Sequence, residues 1–294
     1  MATNVKKYNG LAHPPLSGKL GGERALRFLK SFFESFERAV RHQTRENKSL
    51  TDVKRPSNFA RRLRKNYAFT LSEVLITLVI IGVVAALTIP NLMQKYQEQT
   101  TVKKVQKFYS NLSNAYSLAM KENGALSDWE LTGVTIESAE KLYKILFKPY
   151  FKIAKNCEIN NTDNCIPNVK YKHLNNGNYS NSNTSYKIVL DDGSTVWFRG
   201  SFNSSDNRTA IFYDINGQTE PNQWGKDLFL FAINNDKVFP TGIQSGKYSI
   251  YPFNSYCIRT GNGYGCAAWV VYKGNMDYLH CDGLKWTSRS CKDK

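Results

Sequence analysis

Between Val74 and Gln94 the chain carries no charged side chain, an apolar run of 21 residues. A helix rises about 1.5 Å per residue, so such a run spans roughly 30 Å, the thickness of a bilayer's hydrocarbon layer. A helix in the core of a water-soluble domain rarely goes that far without a polar face. The run therefore predicts a membrane-spanning segment. Beyond Pro90 the pattern changes. Val102, Val105, Tyr109, Leu112, Tyr116 and Ala119 recur at intervals of three and four, opposite Gln, Lys and Asn. That spacing predicts an amphipathic continuation of the helix, with one face turned to a core. Asn123–Gly124 is its stop signal, because glycine accepts the left-handed cap conformation. Pro90 lacks a backbone donor and predicts a bend where the helix leaves the bilayer.

The remaining pattern predicts strands. "SYKIVLDDGSTVWFRG" reads as a hairpin turning at Asp192–Gly193. "TAIFYDI", "DLFLFAI" and "AAWVVYK" are further runs of β-branched and aromatic residues, read as strands. A shorter helix is expected near residues 137–148, ended by Pro149. Residues 156–184 hold ten Asn and read as a long exposed loop. A helix followed by strands indicates an α+β fold, with a long N-terminal helix packed on a small antiparallel-sheet head. The aromatics of "KYSIYPFNSY" and "GNGYGCAAWVVY" read as core in preference to an exposed sugar or partner surface.

The formal net charge of +16 invites a nucleic-acid reading, but its distribution removes most of that support. Residues 1–68 carry 16 Lys/Arg against 5 Asp/Glu, and the remainder 24 against 19. The basic excess thus precedes the apolar run, as on a cytoplasmic flank under the positive-inside rule. No specific nucleic-acid partner is expected. All six cysteines (Cys157, Cys165, Cys257, Cys266, Cys281 and Cys291) follow the run. Their spacing lacks the close pairs of a zinc site. An even count in an exported part favours disulfides over buried thiols or a metal, with fifteen connectivities open and at least one bridge expected inside Cys257–Cys291.

Glu73 stands at the edge of the apolar run, where an unpaired carboxylate costs on the order of 2–3 kcal/mol. A plain membrane anchor leaves it unexplained, and so does a secretory signal, whose apolar region is shorter. "RKNYAFTLSEVLITLVIIGVVAALTIP" resembles the N-terminal signal of type IV pilins and type II secretion pseudopilins. In that family a basic leader is cut before a residue that is usually Phe and is then N-methylated. A Glu lies fifth after the cut, and an apolar helix with a Pro near its end follows. Matched by position, Ala68 ends the leader, Phe69 is the new N-terminus, Glu73 is the fifth mature residue and Pro90 the twenty-second. The sequence departs from the family in one place, with Ala68 where Gly is most common. The resemblance implies a leader over 1–68 and a pilin-like helix over 69–123 with its transmembrane part at 69–90. It also implies an extracytoplasmic head over 124–294, and as partners prepilin peptidase, other pilin or pseudopilin subunits and the membrane. Glu73 of one subunit would pair with the methylated amine of a neighbour and set axial register, because an unpaired charge is costly at low dielectric. The expected location is the bacterial inner membrane, single-pass, with assembly into a surface or periplasmic filament.

The leader is longer than the family's usual one. Residues 24–40 place Leu29, Phe32, Phe33, Phe36 and Val40 at helical spacing, as in a basic helix lying on an anionic membrane. An over-extended start site is the competing account.

"FYDINGQTEPNQWGKDLF" also resembles a pattern found in proteins with this signal. Asp214, Asn216 and Asp227 are hard oxygen donors around a turn at Gly217, so calcium is the candidate metal. The competing reading is an Asx-rich turn bonded to its own backbone. No catalytic constellation appears: after the apolar run the His are His173 and His280, and neither a nucleophile elbow, a P-loop nor a dinucleotide fingerprint is present. An enzyme is not expected. Three functions stay open: a filament subunit, a low-copy minor pilin binding DNA or a surface ligand, and a membrane-anchored exported protein with no filament.

Overall fold

The computed structural model describes residues 71–131, 133–159, 165–166, 171–179, 185–200, 209–235 and 237–293. The chain divides into two units, Met1–Met93 and Gln94–Lys294. One uninterrupted helix, α1 (Leu71–Asn123), runs from the first into the second, with Pro90 inside it. In the first unit its apolar side chains are bare. Leu78, Ile81, Leu87 and Leu92 are each more than half exposed, and none of its most apolar stretch is buried. A surface of that kind is stable only when lipid or other apolar helices cover it.

In the second unit the expected stripe is the buried face of α1, except that Phe108 takes a core position and Tyr109 is only half-buried at its edge. Val102, Val105, Phe108, Leu112, Ala115, Tyr116 and Ala119 all enter the core. Gly124, at φ 79°, caps the helix end with its amide donated to Met120 O. A second helix, α2 (Ile136–Leu142), starts at Thr135, whose hydroxyl accepts from Ser138 N, and it continues as a π-turn over Tyr143–Phe147.

The sheet has six strands in the order β1 (Ile153–Glu158), β4 (Tyr186–Leu190), β5 (Thr195–Arg199), β6 (Thr209–Asp214), β7 (Leu228–Ile233) and β8 (Val238–Pro240), every pair antiparallel. A small hairpin, β2 (Tyr171–Lys172) with β3 (Asn178–Tyr179), stands apart. Alternate residues of the sheet serve two layers. Ile188, Val196, Phe198, Ile211, Tyr213, Phe229, Phe231 and Ile233 share a core with α1 and α2. Trp197, Ala210, Phe212, Leu228 and Leu230 pack with Tyr171 and Trp224 on the other face. With both faces covered, β6 and β7 are buried at every position, which explains their unbroken apolar runs.

Two expectations are corrected. "AAWVVYK" is helix α4 (Ala267–Lys273), not a strand. A short apolar run cannot be assigned by periodicity, and the left-handed Gly274 after it is a helix C-cap. A one-turn helix, α3 (Phe253–Tyr256), precedes it. The Asn-rich stretch 156–184 is not simply an exposed loop. Its described residues include the end of β1, both strands of the small hairpin, and Cys157, Cys165, Ile166 and Tyr171 in buried positions. Scattered aromatic and cysteine anchors hold such a stretch even where its composition is polar.

Candidate functional site

Ala68, Phe69 and the amphipathic segment 24–40 lie outside the described residues. Glu73 lies within them, exposed, in the first turn of α1. There its negative charge complements the unsatisfied amides and positive pole of the helix start. That local role holds in a single chain.

The candidate calcium residues form a different kind of site. Asp214 ends β6 and Asp227 precedes β7, and both are fully buried. Asp214 Oδ1 accepts from the amides of Asn216, at 3.2 Å, and Gly217, at 3.0 Å, while Oδ2 accepts from the Tyr171 hydroxyl at 2.7 Å. Asp227 accepts from Asn222 N at 2.7 Å and Gln223 N at 2.6 Å. Five protein donors are thus spent on two carboxylates. Burial pushes both carboxyls well above the usual range, and for Asp214 the charge of Asp227 adds to it. Asn216 turns its amide nitrogen to Glu220 O at 3.2 Å, while its Oδ1, like Asn222 Oδ1, is buried without a hydrogen-bond partner among the described residues. Calcium takes six to eight oxygens. Here two carboxylates already serve as acceptors for N–H and O–H groups, and among the described residues no cluster of three or more acidic, His or Cys side chains forms. The two carboxylates are satisfied by protein donors without an ion. The geometry is that of Asx caps pinning a loop between two central strands.

Tyr171, which reaches into this loop from the small hairpin, has no sequence signal that marks it. Gln223 works alongside it, donating to the carbonyls of His173 at 2.9 Å and Leu174 at 3.2 Å. An Asn-rich setting hides both contacts, since neither has a fixed spacing to the loop it meets.

All six cysteines are paired: Cys157 with Cys165, Cys257 with Cys266 and Cys281 with Cys291. Each closes a short local loop. The last of them fastens the C-terminal segment, from which His280 Nε2 reaches Glu98 of α1 at 2.9 Å.

Comparison with known proteins adds two findings. Residues 63–89 match the family described as "Prokaryotic N-terminal methylation motif", the signal of type IV pilin and pseudopilin precursors. Residues 91–272, more than half of the chain, match the family described as "Family of unknown function (DUF6613)". No curated protein and no solved structure matches the chain. The chain therefore belongs to the DUF6613 family and carries, ahead of that domain, the prepilin-type methylation signal.

Proposed function

We propose that this protein is a structural subunit of a type IV pilus or type II secretion pseudopilus, cut between Ala68 and Phe69 by prepilin peptidase and methylated at Phe69. One observation carries the reading: the methylation motif at 63–89 overlaps the start of a 53-residue helix, Leu71–Asn123, whose first turn holds Glu73. The bare apolar surface of residues 71–93 supports a single-pass membrane anchor before assembly and a helix bundle after it. The head, with its disulfides, lies on the extracytoplasmic side. The subunit is not an enzyme. Its work is assembly.

Glu73 sets register by pairing with the methylated amine of a neighbouring subunit. Glu73→Ala should leave membrane insertion intact, because an apolar residue is cheaper there. Filament recovery should fail, since the partner amine loses its counter-charge in a poorly solvated bundle. Glu73→Gln separates charge from shape. The test is filament sheared from cells holding each variant at equal membrane abundance. Wild-type recovery from both would leave the anchored exported protein as the better account. A low-copy tip subunit that binds a surface ligand is the second reading, favoured by the large disulfide-bonded head. Counting copies per filament separates it from a main subunit.

A further inference from the structure

A groove of about 270 Å³ opens in the head between α1, the segment after the π-turn, and the β4–β5 turn. Lys104, Lys107, Asn111, Tyr150, Lys152 and Asp191 line it. Lys104, Lys107 and Asn111 stand at i, i+3 and i+7, so one face of α1 presents all three. The floor is rigid. Beneath it lies the stacked ring pair Phe108 and Tyr213, centroids 3.9 Å apart and both buried, a firm base whose faces are covered by each other. The walls are fixed to each other, because Asp191 N donates to Lys152 O at 3.0 Å. Lys104 Nζ is anchored to Ile215 O at 2.9 Å, and Asp192 Oδ1 is occupied by Ser194 N at 3.0 Å. Among the described residues, no hydrogen bond or ion pair engages the side chains of Lys107, Lys152 or Asp191.

The groove thus offers uncommitted ammonium groups, an uncommitted carboxylate and an amide beside the half-buried Tyr150. A ligand that satisfies all of them carries one negative charge, several hydroxyls and an apolar ring face. We infer that the groove binds an acidic sugar of the uronic-acid type. Its carboxylate would take charge-assisted hydrogen bonds from Lys107 and Lys152. Its hydroxyls would donate to Asp191 and meet the Asn111 amide. Its C–H face would rest against Tyr150. The volume lies just below the range of ligand pockets for drug-sized molecules, which suits one or two sugar rings. A nucleic-acid backbone fits less well. A DNA backbone carries no hydroxyl to donate to Asp191, so that carboxylate would stay unpaired beside the phosphates. The inference stands on the head alone and does not rest on filament assembly.

The test uses the full chain in detergent, titrated by calorimetry with glucuronate, glucose and a short DNA duplex. Glucuronate should bind with a Kd of about 1 mM or tighter. Glucose, which lacks the carboxylate, should bind at least tenfold more weakly. Lys107→Glu combined with Lys152→Glu should lose glucuronate binding at least tenfold, whereas Lys121→Glu, elsewhere on α1, should retain it. Lys107→Gln with an unchanged melting temperature provides the milder variant should the double substitution disturb folding, and it too should bind more weakly. Equal affinity for glucose, silence towards glucuronate at tens of millimolar, undiminished binding by the Lys107 variants, or binding of the duplex in place of the sugar would each overturn the proposal.

Discussion

Phe108 of α1 lies flat against Tyr213 of β6, with ring centroids 3.9 Å apart and planes 2° from parallel. Phe231 of β7 meets the same Phe108 ring edge-on at 5.4 Å. Helix and sheet are therefore joined by an aromatic cluster within the second unit, and Tyr116 reinforces it by donating its hydroxyl to Asn234 O at 2.7 Å. Offset and edge-on ring pairs add stabilisation beyond the area they bury.

Phe108→Ala should cost about 3–5 kcal/mol, the usual loss for a buried aromatic truncated in a packed core. Denaturant unfolding of the detergent-solubilised chain, followed by Trp fluorescence, measures it. Phe108→Leu should recover part of the loss. A cost within experimental error would mean that α1 does not depend on this cluster for its place on the head.

The carboxylate loop gives the head a pH dependence. Asp214 and Asp227 hold their protons to higher pH in the folded head than in the unfolded chain, because burial disfavours their charge. The folded state then binds more protons, so stability falls as pH rises above the unfolded carboxylate value of about 4. The head should melt at a higher temperature at pH 5 than at pH 8, and Asp214→Asn should flatten the difference. A melting temperature that rises across that interval in the wild type, or an undiminished slope in the variant, contradicts the assignment. Chelator should leave the melting temperature unchanged, since protein donors already occupy these oxygens.

The three disulfides span sequence separations of 8, 9 and 10 residues. Loops that short are each worth somewhat under about 3 kcal/mol in the chain-entropy account. Protein unfolded without reductant should show no titratable thiol, and reduction should lower the melting temperature. Six reactive thiols in the unreduced protein would contradict the pairing.

The long helix was legible because its pattern is strong at two scales, a charge-free run and then a 3.6-residue stripe ending at Asn123–Gly124. Strands β4 to β7 were legible from β-branched and aromatic runs alone. "AAWVVYK" was not, since seven apolar-rich residues fit either element, and what makes α4 a helix is its packing and the Gly274 cap. The motif at Asp214–Asp227 was visible as chemistry but ambiguous in meaning. The placement of Tyr171 and the loop amides, which satisfies both carboxylates within the protein, is not written in any spacing. The groove left no trace, because its lysines belong to a solvated helix face until Lys152 and Asp191 are folded beside them.

The proposed maturation requires a small residue before the cut, so Ala68→Leu should leave an uncut precursor in the membrane. Immunoblotting of membrane fractions distinguishes it from the shorter mature chain. If the variant matures to wild-type mass, the cut lies elsewhere.

The central claim, that this chain is a prepilin-type subunit, is tested most directly by mass spectrometry of the mature N-terminus. The prediction is a chain beginning at Phe69 and carrying one methyl group on its α-amine. A chain that retains its leader, or that begins at another residue with an unmodified amine, would contradict the account and leave an exported protein held by a plain membrane anchor.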